Sequence, residues 1–188
     1  MLCRLGLQGF DAVYSYGSYE GTLRKLVHLF KYTGVRPLAR PFGELLARAL
    51  PRDQHFDVIV PMPLHWFKRW QRGFNQADLL AQEIGRKWQV PVRNVVRRRK
   101  ATSSQAGLSN AKRRANVQGA FRVARGQALN GLRVLLVDDV LTTGATASAC
   151  ARALKRAGAA HVSLLALART DRRTAIDQRE LLTQGANA

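Results

Sequence analysis

Apolar positions along this chain change period several times, and each change marks a predicted element. Residues 11 to 19, Asp-Ala-Val-Tyr-Ser-Tyr-Gly-Ser-Tyr, are rich in β-favouring aromatics with Gly17 as a breaker, which predicts a short strand or hairpin. Leu23, Leu26, Val27 and Phe30 then recur at helical spacing and turn Arg24, Lys25 and Lys31 toward another face, until Gly34 and Pro37 end the pattern. Phe42, Leu45, Leu46, Ala49 and Leu50 predict a second amphipathic helix. Residues 1–52 are expected to form a small N-terminal cap over a sheet.

The core is expected to span residues 53–170. Its first strand, Phe56 to Val60, runs into Pro61 and Pro63, which lack the N–H donors that a central ladder needs. Asn75 is placed to cap a helix carrying Leu79, Leu80, Ile84 and Trp88. Trp66 and Trp70 lie four apart and are expected to pack on each other or on the core. Short strands are predicted around Asn94 to Val96 and Gly119 to Val123, separated by a stretch too polar for an interior. Turn material from Gly126 to Gly131 leads to Val134-Leu135-Leu136-Val137, four apolar residues in a row, as in a strand buried on both faces of a parallel sheet. A helix from about Ala145 to Ala157, stopped by Gly158, and a strand from His161 to Ala168 complete a parallel strand-helix-strand unit. Residues 171–188 read as a C-terminal tail.

The expected fold class is therefore α/β, a Rossmann-like parallel sheet flanked by helices around one core. The 188 residues contain no apolar run of membrane-spanning length, and the start lacks the pattern of a secretory signal. A cytoplasmic protein without membrane insertion is expected. Cys3 and Cys150 are far apart and form no paired motif, so no metal site built from cysteines is expected.

Charge sharpens this picture. Lys and Arg number 31 against 12 Asp and Glu, a net charge of +19, which implies attraction to a polyanion or a strongly anionic substrate. Arg97, Arg98, Arg99 and Lys100, with Lys112, Arg113 and Arg114, bracket a polar segment and are the candidate nucleic-acid-binding residues. A solvated basic face is the plain alternative. Between Glu83 and Asp171 the sole acids are Asp138 and Asp139.

That pair follows the most apolar strand, at the end where open α/β sheets bind ligands. Thr142, Thr143, Gly144, Ala145 and Thr146 come next and open a helix, so backbone N–H groups, three hydroxyls and a helix N-terminus converge as a binding site for a phosphate dianion. The structural alternative makes Asp139 a turn cap and pairs Asp138 with an arginine.

Residues Val134 to Thr146 resemble the phosphoribosyl pyrophosphate (PRPP) motif of type I phosphoribosyltransferases. The resemblance implies that Asp138 and Asp139 take the ribose hydroxyls and serve as catalytic residues. It also implies that residues 142 to 146 hold the 5′-phosphate and that magnesium comes with PRPP. Arg72-Gly73-Phe74-Asn75-Gln76, Thr102 through Gln105, Asn116 through Phe121 and Phe30-Lys31-Tyr32 are similar to blocks of the ComF/GntX family, over roughly residues 10 to 170. That likeness implies a type I phosphoribosyltransferase-like domain associated with DNA uptake in natural competence. Pro61 to Leu64 would approach pyrophosphate with Arg69 and Arg72 as its ligands, and Arg99 to Arg114 would form a closing loop. Family members commonly begin with a four-cysteine zinc module. With Cys3 alone before Phe10, that module is absent or truncated in this chain, and zinc is not expected.

Three functions are consistent with this reading. One is a PRPP-binding protein of DNA uptake that binds single-stranded DNA, with a competence-machinery protein as partner. Another is a transferase acting on an unidentified acceptor, and the third is a PRPP-sensing regulator. His28, His55, His65 and His161 are isolated and are expected to be structural.

Overall fold

The structure, a computed structural model, describes residues 9–64, 67, 70, 72–98 and 119–170. Four strands form a parallel sheet in the order β1 (Ala12–Ser18), β6 (His161–Arg169), β5 (Arg133–Leu141) and β2 (Val58–Pro61). One face carries α1 (Gly21–Tyr32), α2 (Ala39–Ala49) and α3 (Gln76–Trp88). The other carries α4 (Ala145–Arg156) and an antiparallel pair, β3 (Val96–Arg98) with β4 (Phe121–Val123).

Strand β5 explains the apolar run. Val134 and Leu136 join Val60, Leu154 and Leu164 on one face, while Leu135 and Val137 join Phe30, Phe42, Leu46 and Leu80 on the other. A strand at the centre of two cores has no polar side to show, so alternation disappears from its sequence. Each such side chain contributes about 1.5–3 kcal/mol by leaving water. The small residues of α4, among them Ala147, Cys150, Ala151 and Ala153, are buried against the same sheet. Cys150 is a free, buried thiol whose ionisation burial pushes far above the ordinary range.

Residues 12 to 50, expected as part of a cap, instead supply the sheet's edge strand and two helices of its face. Val13 stands opposite Leu164 in the β1–β6 ladder, and Val27, Phe30, Phe42 and Leu46 enter the core that α3 also lines. The aromatic-rich pattern of residues 11 to 19 announces a strand but not its partner.

Asp11 fastens the start of that ladder. Its carboxylate accepts the Val162 amide at 2.6 Å and pairs with Lys155 Nζ at 2.7 Å, while its own amide donates to Val162 O. At the opposite end of the sheet, Met62 N–H donates to Val137 O at 2.8 Å and so holds the chain beyond Pro61 beside the end of β5. Asn75 caps α3 as predicted, accepting the Ala77 amide, and its Nδ2 donates to Met62 O at 3.0 Å. The two ends of the connection from β2 to α3 are thereby fixed together beside the end of β5. Among the described residues no helix is long and apolar enough to cross a membrane.

Candidate phosphoribosyl site

Asp138 and Asp139 occupy the last turns of the pleat in β5, where neighbouring side chains leave the strand on opposite faces. Asp139 Oδ1 lies 3.0 Å from Lys31 Nζ on α1, and both side chains are largely buried. Asp138 turns to the α4 side, toward Arg98 on β3, and its Oδ1 accepts the Asp139 amide at 2.9 Å. Burial, and then repulsion from Asp139, push the Asp138 carboxyl up to about 7, against the opposing pull of Lys31, the Asp139 amide and Arg98. Burial in turn draws the Arg98 guanidinium below its ordinary range, while the Asp138 charge opposes that shift.

An open cavity of about 220 Å³ lies over these groups. Lys31, Arg72 and Arg98 line it together with both acids, the loop Met62 to Leu64, and Thr142, Gly144, Ala145 and Thr146. Gly144 has φ of +72°, a conformation that favours glycine, and it turns the chain from the strand into α4. The α4 N-terminus thus lines the cavity with the positive end of its helix dipole. Thr143 is the exception in the motif. It is not part of the lining, and its Oγ1 is turned to the Ala145 amide at 3.5 Å.

Of the two arginines expected near pyrophosphate, Arg72 reaches the cavity and Arg69 lies outside the described residues. Arg72 is held by Gln76 Oε1 and by Tyr32 Oη, each at 3.3 Å, with its guanidinium 4.8 Å from the Tyr32 ring centre. Among the basic residues assigned to nucleic acid, Arg97 is exposed. Arg98 points inward, stacked 5.5 Å over Phe121. Arg99, Lys100, Lys112, Arg113 and Arg114 lie outside the described residues, as does the proposed closing loop. Trp70 departs from its expected packing: it is 80% exposed and meets Phe67 at 6.4 Å between ring centres. Trp66 is outside the described residues.

Lys31 and Gln76 were not singled out by spacing or charge. Lysine in the last turn of a helix is ordinary, because it complements the helix dipole, so its proximity to Asp139 becomes visible only once α1 is laid against β5.

A parallel sheet flanked by helices, with a strand-end acid pair and a glycine turn into a helix N-terminus, defines a type I phosphoribosyltransferase-like fold. The family model described as phosphoribosyl transferase domain matches residues 70–182. Competence protein F of Haemophilus influenzae is 36% identical over 168 residues, covering 85% of this chain and 73% of that protein. DNA utilization protein YhgH of Escherichia coli is 36% identical over 162 residues, covering 81% of this chain and 69% of that protein. A solved glutamine PRPP amidotransferase from B. subtilis, complexed with ADP and GMP, aligns at 21% identity with a TM-score of 0.48, over 69% of this chain and 26% of its own. This chain spans about a quarter of that enzyme. The chain belongs to the phosphoribosyl transferase domain family, in the group that includes competence protein F.

Proposed function

We propose that this protein binds PRPP in the cavity at the end of β5 and single-stranded DNA on its basic surface, and that it acts in the cytoplasm in DNA uptake with a protein of the competence machinery. The carrying observation is the opposition of Asp138 and Asp139 to Lys31, Arg72 and Arg98 across one cavity beside the α4 N-terminus. Ionised carboxylates accept hydrogen bonds from ribose hydroxyls, and the turn from Thr142 to Thr146 offers donors to the 5′-phosphate. Arg72 provides a planar, multi-donor group for pyrophosphate oxygens. The names of the two relatives support the link to DNA.

Magnesium fits this site as a companion of the ligand. Among the described residues, no three His, Cys, Asp or Glu side chains converge to hold a metal unaided. Mg²⁺ commonly keeps several waters and binds through one or two carboxylates together with substrate phosphates. Asp138 and Asp139 are the residues that would hold it, and it would supply positive charge that offsets the negative charge of the pyrophosphate. Transferase chemistry would rest on electrostatic stabilisation of the departing pyrophosphate by Arg72 and its neighbours.

A ligand-induced melting shift tests the reading, with PRPP and magnesium, with and without single-stranded DNA. Each ligand should raise Tm. Asp138→Ala combined with Asp139→Ala should abolish the PRPP shift while the protein still melts cooperatively. An undiminished shift in that variant would refute the site.

A further inference from the structure

The ammonium of Lys31 sits where a ribose-phosphate ligand would need Asp139. It is 3.0 Å from that carboxylate, 16% exposed, and in the lining of the same cavity. Its backbone is fixed as well. The Lys31 carbonyl accepts from Gln76 Nε2 at 3.4 Å, Gln76 is buried, and Gln76 also accepts from Arg72. The next residue, Tyr32, stacks under the Arg72 guanidinium. One helix end is thus joined to the segment that opens α3, and Lys31 is held at the acid pair from both sides. A freely solvated surface lysine has neither the burial nor these contacts.

Ribose hydroxyls that hydrogen-bond Asp139 must share or displace this ion pair. The displaced ammonium remains inside a cavity that would then contain phosphate oxygens. We infer that Lys31 is a built-in exchangeable cation of the phosphoribosyl site: it neutralises Asp139 when the site is empty and transfers to an anionic oxygen of the ligand when ribose takes the carboxylate. The inference rests on the PRPP reading above and deepens it. Two consequences follow from charge balance. Lys31 supplies one positive charge that a ligand-borne divalent ion supplies otherwise, so binding retains a component that needs no metal. Removing Lys31 makes the site depend more steeply on magnesium.

The test is calorimetric titration of PRPP into the wild-type chain, Lys31→Met and Lys31→Arg, each in excess magnesium and again in EDTA. Wild type should keep measurable affinity in EDTA. Lys31→Met should bind more weakly than wild type with magnesium and lose roughly a further tenfold or more, relative to wild type, in EDTA, the scale of a hydrogen bond to a charged group. Lys31→Arg should recover most of that loss. A magnesium-to-EDTA affinity ratio in Lys31→Met equal to that of wild type would overturn the inference, as would complete loss of wild-type binding in EDTA. The second of these needs no variant and so stands even if Lys31→Met fails to fold. Failure of the wild type to bind PRPP under either condition would overturn the PRPP reading itself, and the inference with it.

Discussion

Replacing Asp138 by asparagine is expected to make the protein more stable and a weaker binder of its ligand. The carboxyl is pushed from 3.8 to about 7, first by burial and then by the charge of Asp139. A raised carboxylic acid holds a proton in the folded protein between about pH 4 and 7, where the unfolded chain has released it. Stability therefore falls as pH rises through that window and levels off above 7. At 1.36 kcal/mol per unit the full difference is about 4 kcal/mol. Asp138 keeps partial contact with solvent and shares its charge environment with Asp139, so about half of that, about 2 kcal/mol, is the working figure. For a chain of this size it corresponds to a rise in Tm of roughly 4–8 °C. Asparagine retains an oxygen for the Asp139 amide, which keeps the local geometry.

The assay is a set of thermal melts of both proteins from pH 4.5 to 8. The difference between them cancels the contribution of other titrating groups such as His161. Burial is the first cause that lowers the His161 pKa. The gain should be near zero at the acid end and full at pH 8, while PRPP affinity in excess magnesium falls about tenfold with the loss of a charged acceptor. A gain that does not vary with pH, or a variant less stable than wild type at pH 8, would refute the argument.

Asp11→Asn should act in the opposite sense. Burial raises the Asp11 carboxyl, but the Lys155 contact and the Val162 amide outweigh it and leave the group below its ordinary value, so its contribution is present at neutral pH and lost as pH falls below about 4. The variant should melt about 2–4 °C lower at pH 7, for about 1 kcal/mol after screening by solvent, with the deficit closing in acid. Arg97→Ala and Arg98→Ala should separate two functions on adjacent residues. The exposed Arg97 should affect single-stranded DNA binding and reduce its salt slope, whereas the inward Arg98 should affect PRPP affinity, as read by filter binding and calorimetry. An identical profile for the two variants would contradict the inward placement of Arg98.

Much of the fold was legible because its centre is simple. Four apolar residues before Asp138 mark a doubly buried strand, Gly144 and Gly158 bracket α4, and Asn75 caps α3, each a local rule acting over a few residues. Less legible were the pairings made across the chain. The pattern of residues 11 to 19 carries no trace of β6 as its neighbour, so a sheet edge reads as a cap. Arg97 and Arg98 look equivalent in a basic run, and only the two-residue alternation of β3 sends one outward and the other over Phe121. Trp70 misleads in the reverse direction: four-residue spacing to Trp66 suggests burial, yet nothing in that spacing says on which side of the segment the interior lies.

The adjacency of Asp138 and Asp139 constrains β5 by length more tightly than by composition. Lys31 belongs to the half of the molecule built on α1, α2 and α3, and Arg98 to the half built on α4, β3 and β4. A one-residue insertion between Arg133 and Val134 would turn each acid toward the opposite half of the molecule while leaving every residue of the motif in place. The strand is in this sense a measuring stick whose parity, counted from the first rung of the sheet, decides which half of the protein each carboxylate addresses.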